Sequence, residues 1–545
     1  MFWNFLSTTV PSTREEVTEV LLKNRKIIDQ DLFFSPPNPL DISAEQLGLN
    51  IEMLKLAKER ILTAIKQQQQ ILVFGDYDAD GVSATAILWQ TLYDLGAKVT
   101  PFIPHREKHG YGLTSKALAE LYQTDLPDLL ITVDTGIVAN EAVADLQSKG
   151  IDVIITDHHQ PDQILPNSLA IVHSTKICGA AVAWSLVREL SETQAKNNLD
   201  LVALATVTDL MPLKGVNRAF VFHGLKEINN NRRIGLVALR EAAGLTTKTI
   251  TAMHLGFVLG PRINAMGRLS TAMDALRLLC TSNKKRARVL ASLVDDTNLD
   301  RQQLTNDLYQ LAKEQVDQQH DQYLLIVHAD DFHEGIIGLI AGRLTEKYAK
   351  PSIVISTKGP TAKASARSVP GINITEIIRT ARELLLEFGG HPMAAGFGFE
   401  QSRLEAVIKH LVTYAKENIN PALLKKTLNV ECLLPLALVD VALVEAVDQI
   451  APFGQGNDQP VFAFQDVRVT EIKKLGKQQE HLKLGLTDGG DQHDLTVMAW
   501  RRADLADKIK LGSLVNLAGI LEINEWQGNK APQLILRDLQ LAEVV

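Results

Sequence analysis

The stretch ILVFGDYDADG, at residues 71–81, constrains the fold of this chain more than any other part of the sequence. Its four apolar residues predict a short buried strand, and Gly75 ends that strand where three carboxylates begin. Asp76, Asp78 and Asp80 are spaced by two, so extended backbone turns their side chains to the same side. Such like charges repel, and a hard divalent cation would hold them together. The sequence therefore predicts a metal site after a strand, with surface aspartates in a loop as the simpler alternative.

Composition indicates a multidomain protein without unusual segments. At 545 residues the chain is long enough for three or four domains. It has no apolar run that could span a bilayer, and its start lacks the features of a signal peptide, so we expect a cytoplasmic protein. The three scattered cysteines argue against structural zinc. The net charge of −8 is only a weak argument against a nucleic-acid partner, because binding depends on local basic patches.

Apolar strand-like runs alternate with helix-like runs after residue 70. The strand-like runs are 71–74, 99–103, 129–133 and 153–156, a pattern that predicts a parallel, doubly wound sheet. Asp134 follows the third run, and Asp157, His158 and His159 follow the fourth. Because the carboxyl ends of parallel strands share one edge, these side chains should converge with the first aspartates. Asp209, at the end of a long apolar helix-like run, is a further candidate ligand.

These motifs, in this order, resemble the four motifs of the DHH phosphoesterase superfamily. The matching residues are DYDADG at 76–81, Asp134, the triplet at 157–159, and Asp209. Within the superfamily the chain is similar, over most of its length, to the bacterial exonucleases specific for single-stranded DNA. The resemblance implies a metal-dependent enzyme that hydrolyses single strands processively from the 5′ end to mononucleotides, in DNA repair and recombination.

The resemblance also implies a site with two divalent cations, Mn²⁺ or Mg²⁺. Its implied metal ligands are Asp76, Asp78, Asp80, Asp134, His158 and Asp209. Asp134 is the candidate for a carboxylate shared by both ions, and Asp76 either binds an ion or orients a ligand. His159 completes the catalytic set as a ligand-orienting or phosphate-contacting residue, since neighbouring histidines rarely both reach the same metals.

The rest of the chain carries candidate contacts for nucleic acid. They are Arg262, Asn264 and Arg268 in GPRINAMGRL, Ser365 and Arg367 in ASARSVPG, His391 in GGHPMAAG, and Trp500 with Arg501 near the C-terminus. The first five offer phosphate donors, His391 lies beside glycines where a strand could come close, and Trp500 could stack on a base. Paired surface arginines, a structural histidine and a core tryptophan are the alternatives.

We predict an α/β multidomain protein with five segments. They are an N-terminal appendage and linker (1–45), a DHH catalytic domain (46–280), a helical connector (281–319), a second α/β domain that grips substrate (320–430) and a five-stranded barrel of the OB type (436–545). We expect a monomer that binds single-stranded DNA, with single-strand-binding protein and a helicase as possible partners and no membrane contact. Two other functions remain open: a DHH oligoribonuclease, cyclic-dinucleotide phosphodiesterase or pyrophosphatase, and a single-strand-binding scaffold without catalysis. Phe74 stands where the small-substrate enzymes typically place a histidine, which favours the exonuclease.

Overall fold

The structure is a computed structural model that describes residues 1–123, 125–319, 322–488 and 494–542. The strands are β1 (Phe2–Phe5), β2 (Gln70–Gly75), β3 (Lys98–Phe102), β4 (Leu129–Val133), β5 (Asp152–Asp157), β6 (Ala170–His173), β7 (Leu325–Ala329), β8 (Ser352–Ser356), β9 (Thr361–Arg367), β10 (Glu387–His391), β11 (Ala394–Glu400), β12 (Thr427–Val430), β13 (Phe462–Leu475), β14 (His481–Thr487), β15 (Asp494–Ala499), β16 (Leu514–Trp526) and β17 (Asn529–Leu541). The helices are α1 (Arg14–Asn24), α2 (Gln30–Phe34), α3 (Ile51–Lys66), α4 (Ala79–Asp94), α5 (Arg106–His109), α6 (Ser115–Leu121), α7 (Asn140–Ser148), α8 (Gly179–Leu190), α9 (Glu192–Asn197), α10 (Leu199–Thr208), α11 (Gly215–Asn229), α12 (Ile234–Ala242), α13 (Ala252–His254), α14 (Gly260–Leu269), α15 (Ala272–Cys280), α16 (Lys284–Val316), α17 (Ile337–Tyr348), α18 (Ile374–Arg379), α19 (Leu404–Asn418) and α20 (Val441–Asp448).

Two units make up the chain. The first contains residues 38–211 and 216–425, and the second contains residues 1–37, 212–215 and 426–545. Among the described residues, no helix is both long enough and apolar enough to cross a membrane.

The first unit begins with the predicted parallel sheet. Its five strands lie in the order β3-β2-β4-β5-β6, and every neighbouring pair is parallel. The central strands are apolar along their length because helices cover both faces, with α6 and α7 packing on one face and α4 and α8 on the other. Chain order reverses between β2 and β4, which places the loops after these strands at the switch point of the sheet.

The same unit continues through α16, a single 33-residue helix, into a second sheet. That sheet has the order β10-β11-β9-β8-β7 and is antiparallel except for the pair β7 and β8. Apolar side chains from the sheet, α18 and α19 form its core on one face, and α17 packs on the other. The predicted helical connector and second α/β domain both occur, although the connector is one helix rather than several.

Two glutamine side chains cover the free edge of this second sheet. Gln315 accepts from the backbone N–H of His328 and donates to its carbonyl, and Gln319 makes the same pair of bonds with Ile326. Gln315 lies in the last turn of α16 and Gln319 just beyond the end of that helix, and the two strand residues that they contact are two positions apart on the same side of β7. The side-chain amides thus stand in for a neighbouring strand and satisfy an edge that could otherwise pair with another chain.

The second unit is a closed five-stranded barrel with an N-terminal attachment. The barrel order is β13-β14-β15-β17-β16, which confirms the predicted OB-type assembly. The predicted N-terminal appendage contains two helices, because α1 ends at Asn24 and α2 begins only at Gln30. Residues 1–37 are not a free appendage: β1 pairs in parallel with β12, and Val17 and Leu21 of α1 pack into the barrel core.

Candidate active site

The aspartates after β2 form a tight loop held by its own backbone. Asp78 is the N-cap of α4, and its Oδ1 accepts hydrogen bonds from the N–H groups of Asp80 (2.9 Å) and Gly81 (3.0 Å). The helix therefore begins at Ala79, within the aspartate motif itself. Gly81 is required because a Cβ there would lie 2.5 Å from the carbonyl oxygen of Asp76. The three carboxylates thus occupy fixed positions at the end of the strand.

Asp80 is fixed from a second element. Its two carboxylate oxygens accept from the N–H groups of Gly179 and Ala180, both at 2.7 Å. These N–H groups begin α8, a 12-residue helix whose positive end favours a carboxylate. The backbone thus orients Asp80 and leaves the other carboxylates of the loop free to bind elsewhere.

Asp134 follows β4 in an unusual conformation. Its φ of +61° lies in the left-handed region, which an aspartate rarely occupies, and its N–H donates to the carbonyl of Thr156. A side chain at Gly179 would collide with the Asp134 carboxylate, so that glycine makes room for it. The strained backbone turns the side chain toward the other aspartates, as is typical of functional sites.

His158 joins the carboxylates from three strand or helix ends. Its Nε2 lies 3.1 Å from Asp134 Oδ1 and 3.7 Å from Asp80 Oδ2, and its Nδ1 lies 3.7 Å from Asp209 Oδ2. Three sets of potential ligand atoms are close enough to hold a metal ion. They are Asp76, Asp78 and Asp134; Asp80, His158 and Asp209; and Asp134, His158 and His159.

Five carboxylates of the site carry more negative charge than their surroundings balance. We call them the acidic cluster: Asp76, Asp78, Asp80, Asp134 and Asp209. Burial, followed by repulsion among the carboxylates, raises the pKa of Asp76 and Asp134 well above their usual range. The same causes raise the pKa of Asp80 to about 7 and that of Asp209 to about 9. Burial, together with the neighbouring His159, lowers the pKa of His158 to about 4. Without a bound cation, the cluster cannot be fully ionised at neutral pH.

Two carboxylate oxygens of the cluster have no hydrogen-bond partner among the described residues. They are Asp76 Oδ1 and Asp134 Oδ1, and both are buried. His158 Nε2 lies 3.1 Å from Asp134 Oδ1 without forming a hydrogen bond to it. Unsatisfied buried acceptors are rare, and they indicate a missing group such as an ion.

Asp157, the first residue of the DHH triplet, organises the loop. It accepts from the N–H groups of Ile137, His158 and His159 and from Nδ1 of His159 (2.8 Å). Burial opposes a charge on His159, but the hydrogen bond and charge of Asp157 raise its pKa to about 9. Nε2 of His159 contacts the hydroxyl of Tyr111 at 2.8 Å. His159 is therefore a cation at neutral pH with one N–H directed at Asp157.

Three arginines beside the acidic cluster lack any acidic partner. This arginine cluster consists of Arg106 at the start of α5, Arg268 in α14 and Arg367 at the end of β9. None of them forms an ion pair with a carboxylate in the described part of the chain. Burial, and then repulsion from Arg106 and Arg367, lowers the pKa of Arg268 to about 10, while Asp78 opposes this shift. Burial and Arg106 also lower the pKa of Arg367.

Backbone groups hold the arginine cluster in place. Arg268 donates to the carbonyl of Gly335 (3.0 Å), and Arg367 donates to the carbonyl of Ala366 (2.8 Å) and to Ser365 Oγ (3.2 Å). A Cβ at Gly338, in the first turn of α17, would lie 3.0 Å from both Ser365 Oγ and an Arg367 nitrogen. The positive end of that helix therefore adds to the positive potential of the guanidinium groups.

The other predicted contacts for nucleic acid differ in their surroundings. Arg262 is engaged by Asp295 (2.8 Å) and by the carbonyl of Val258. Asn264 accepts from the N–H of Ala79 and so positions the aspartate loop. His391 ends the edge strand β10, is exposed, and lies near enough to His158 to affect its pKa.

Trp500 and Arg501 belong to the barrel unit. The Trp500 side chain is 53% exposed and packs edge-on against His481, with ring centroids 4.9 Å apart. The backbone N–H of Arg501 donates to Nδ1 of the same histidine. Trp500 is thus a surface residue rather than part of the barrel core, as stacking on a base would require.

Sequence reasoning missed Arg106 and Tyr111. Both lie in the segment after β3, so the rule that active residues follow parallel strands could have identified them. Arg106 stands in the run HREKH at residues 105–109, and a run of mixed charges is usually a solvated surface, so it gave no specific signal. Their positions depend on the fold, because Arg106 lies over the ring of Tyr77 and Tyr111 reaches His159.

Three domain families match this chain. Residues 70–206 match the N-terminal domain of the DHH family, residues 321–417 match the DHHA1 domain, and residues 430–538 match the RecJ OB domain. These matches agree with the architecture described above and confirm the predicted fold class.

Several curated proteins are similar over most of the chain, and six of them are named single-stranded-DNA-specific exonuclease RecJ. The protein from Thermus thermophilus is 34% identical over 91% of this chain and 72% of its own length, and the protein from Escherichia coli is 30% identical over 89% of each. The Bacillus subtilis protein is 33% identical over 90% of this chain, which spans 64% of that relative. The crystal structure of Thermus thermophilus RecJ in complex with Mn²⁺ has a TM-score of 0.82 and 30% identity, covering 100% of this chain and 80% of that one. The chain therefore belongs to the RecJ family.

Proposed function

We propose that this protein is a metal-dependent exonuclease that hydrolyses single-stranded DNA processively from the 5′ end to mononucleotides, in DNA repair and recombination. The observation that carries the proposal is that the acidic cluster and the arginine cluster lie next to each other, close enough for Asp78 to act on Arg268. The first suits divalent cations and the second suits phosphate, and a phosphodiesterase needs both.

The residues of the acidic cluster fit two divalent ions. The buried, partnerless oxygens of Asp76 and Asp134 and the raised pKa values are what an oxygen-rich cation site has before a cation binds. We assign one ion to Asp76, Asp78 and Asp134 and the other to Asp80, His158 and Asp209. Asp134 also faces His158, which makes it the candidate for the shared ligand. Relatives crystallised with Mn²⁺ and with Mg²⁺ support both metals.

In the reaction, the chain positions ligands, phosphate and protons. When bound, the two ions supply a nucleophile at neutral pH and stabilise charge on the attacking and leaving oxygens. The N–H groups of Gly179 and Ala180 keep Asp80 oriented, and Asp157 keeps His159 oriented. Because His159 is protonated at neutral pH, its Nε2 can donate to a phosphate oxygen in place of Tyr111.

The arginine cluster supports attack from the 5′ end. A terminal phosphate monoester carries about −1.5 to −2 charges and three acceptor oxygens, whereas a backbone diester carries one charge. Three arginines without acidic partners, next to a helix N-terminus, match that larger charge. Arg268 and Arg367 thus receive the 5′-phosphate, Ser365 supports Arg367, and the adjoining diester lies at the acidic cluster.

We also propose roles for the other candidate residues, a location and partners. His391, Arg262 and Asn264 are candidate contacts along the strand, and Trp500 with Arg501 forms a candidate stacking site on the barrel. One unit of one chain provides the whole site, so a monomer is sufficient. We place the enzyme in the cytoplasm, with single-strand-binding protein and a helicase as candidate partners. The domain limits given above are retained as proposed boundaries.

The test uses single-stranded oligonucleotides labelled at the 5′ or the 3′ end. They are incubated with the full chain in Mn²⁺, in Mg²⁺ or in EDTA, beside an Asp134→Asn variant. We expect immediate release of the 5′ label as mononucleotide, gradual shortening from the 3′ label, and no reaction in EDTA or with the variant. Duplex DNA and RNA of the same sequence should be degraded far more slowly.

Other results would redirect the assignment. Early release of the 3′ label would reverse the polarity. Intact DNA together with hydrolysis of a dinucleotide, a cyclic dinucleotide or pyrophosphate would keep the metal site and change the substrate. Binding of DNA without any hydrolysis would indicate a single-strand-binding scaffold.

A further inference from the structure

The segment between α13 and α14 presents an aromatic ring to solvent. Residues Leu255–Leu259 form a π-helical turn, in which Leu255 and Leu259 are fully buried. The side chain of Phe257, between them, is 80% exposed. The turn therefore buries its aliphatic residues and directs its aromatic ring outward, an arrangement that folding alone does not require.

The π turn is pressed against the helix that leads into the acidic cluster. A Cβ at Gly260 would collide with the side chain of Thr208, and one at Gly256 would touch Val207 at 3.4 Å. Val207 and Thr208 form the last turn of α10, which is followed directly by Asp209. Short π-helical insertions are uncommon and occur frequently at functional sites.

The position of Phe257 relative to the aspartate loop follows from the continuous helix. Phe257 precedes Asn264 by seven residues, which corresponds to about 10 Å along a helix. Asn264 accepts from the N–H of Ala79 at 2.8 Å, within the aspartate loop. Phe257 thus lies about 10 Å along the helix from the residue that contacts that loop, a rise comparable to about three nucleotides stacked at about 3.4 Å each.

We propose that Phe257 is a stacking platform for a nucleobase of the bound strand, about three nucleotides from the one being cleaved. This inference rests on the proposed function, because the occupant is the substrate strand itself. Every nucleobase has a π face, so an aromatic platform holds the strand without selecting a sequence, as a processive exonuclease needs. Platform and metal site are coupled, since the same π turn and helix support Phe257, Asn264 and the end of α10.

The occupant is a base rather than a protein surface, because the exposed feature is small. Protein interfaces need about 800 Å² on each partner, with several anchoring side chains. Leu210 and Met253 are also exposed on the two packed segments, at 69% and 53%, and flexible aliphatic chains of this kind can flank a base. A single aromatic ring with such neighbours beside a catalytic site fits one stacked base.

The test compares Phe257→Ala, Phe257→Trp and Phe257→Leu in the full chain. Single-stranded oligonucleotides carry the fluorescent base 2-aminopurine either at the third nucleotide from the 5′ end or near the 3′ end of a long strand. Fluorescence is read in Ca²⁺ or EDTA, and kcat and KM are read in Mn²⁺. Phe2→Ala, which removes a phenylalanine that is 68% exposed from the other unit, is the control.

We expect the wild type and Phe257→Trp to quench the base near the 5′ end and not the distant one. Phe257→Ala and Phe257→Leu should lose this quenching and raise KM by about tenfold or more, with kcat changed less than threefold and an unchanged melting temperature. Quenching and KM that are equal in the wild type and Phe257→Ala would overturn the inference. So would a loss in the leucine variant no larger than that in Phe2→Ala.

The proposed exonuclease function and the stacking role of Phe257 can fail separately. If the wild type binds and quenches but does not cleave, the proposed function fails and the stacking inference stands on the fluorescence. If the wild type cleaves from the 5′ end while Phe257→Ala behaves like the wild type, the function stands and the inference fails. If DNA is not bound at all, both fail.

Discussion

The acidic cluster and the arginine cluster lie close enough for Asp78 to act on Arg268, but they are built in different ways. The carboxylates come from the ends of neighbouring strands and one helix, with Asp78 and Asp80 held by backbone N–H groups. The arginines come from α5, α14 and β9, and carbonyl groups hold Arg268 and Arg367. The acidic cluster forms within the first sheet and its helices, while the arginine cluster exists only once both sheets of the unit are in place.

The two clusters share one electrostatic property. Burial, and then repulsion between like charges, raises the carboxyl pKa values in one cluster and lowers guanidinium pKa values in the other. Each cluster relieves its own charge by binding from outside: cations for the acids and a phosphate for the arginines. The following predictions separate the two contributions, beginning with the largest.

Asp134→Asn should nearly abolish hydrolysis. The substitution keeps the size of the side chain but removes the charge shared by the two sets of ligands, so we expect kcat to fall at least about 1,000-fold. Single-turnover hydrolysis of a labelled single strand in Mn²⁺ measures this effect. Asp94→Asn, at the exposed far end of α4, is the control and should retain full activity. A loss of less than tenfold in Asp134→Asn would remove Asp134 from the metal site.

Arg268→Ala should distinguish strands by their 5′ end. We expect kcat/KM to fall about 10- to 100-fold on a 5′-phosphorylated strand and much less on a 5′-hydroxyl strand, because the variant loses charge-assisted hydrogen bonds to the terminal phosphate. Arg277→Ala, an exposed arginine in the next helix, controls for loss of charge alone. Equal losses on both strands would mean that Arg268 contacts the backbone or only supports the fold.

Metal affinity should depend on pH through the acidic cluster. The pKa values of Asp80 (about 7) and Asp209 (about 9) lie above those of ordinary carboxyls, so protons must leave when a cation binds. For each proton released, affinity should fall about tenfold per pH unit below these values. Calorimetry with Mn²⁺ at pH 6.5 and 8.5, in two buffers of different ionisation enthalpy, measures both the affinity and the proton release. An affinity independent of pH would contradict the interpretation that carboxyls of the acidic cluster are protonated before a cation binds.

The melting temperature of the metal-free protein should also depend on pH, because the same carboxyls have raised pKa values in the folded state. A carboxyl whose pKa is higher in the folded state stabilises that state fully below pH 4, and the contribution is lost as pH rises through the folded pKa. Between pH 6 and pH 9 the melting temperature without metal should therefore fall, and Mn²⁺ should reverse the fall. Asp134→Asn should be less sensitive to pH than the wild type, and an equal sensitivity would count against the cluster as its source.

Inorganic phosphate should give the smallest effect, through the arginine cluster alone. At ten times its dissociation constant, phosphate would stabilise the protein by about 1.4 kcal/mol and raise the melting temperature by a few degrees. The rise should disappear in Arg268→Ala and persist in Arg277→Ala. If all three proteins respond alike, phosphate acts on the surface in general.

The two clusters also differ in how far the sequence alone predicted them. The carboxylates and His158 were identified because each follows a strand or an apolar run, and parallel strands bring such ends together. Of the arginine cluster, Arg268 and Arg367 were identified by residue type, but Arg106 was not, because its approach to the other two depends on how the second sheet packs. Asp157, which holds the loop, could not be told from a metal ligand by spacing.

A similar limit applies to the fold as a whole. Four strands of the parallel sheet, a helical connector and the barrel follow from the periods of apolar residues and were predicted, whereas β6 at the edge of the parallel sheet was not. The attachment of residues 1–37 to the barrel unit was not, because the pairing of β1 with β12 joins segments more than 400 residues apart. The π turn at residues 255–259 gave no signal, since its side chains have an ordinary helical pattern.

The assignment of ions to the acidic cluster and of the 5′-phosphate to the arginine cluster can be tested in one crystal structure. The crystals are grown with Mn²⁺ and a short 5′-phosphorylated single strand that resists hydrolysis. Anomalous diffraction at the manganese edge locates the ions. We predict two peaks among the acidic cluster and His158, with the 5′-phosphate bound by Arg268 and Arg367 and the next phosphate beside the ions. Manganese at another place, or a 5′-phosphate away from the arginine cluster, would contradict the account.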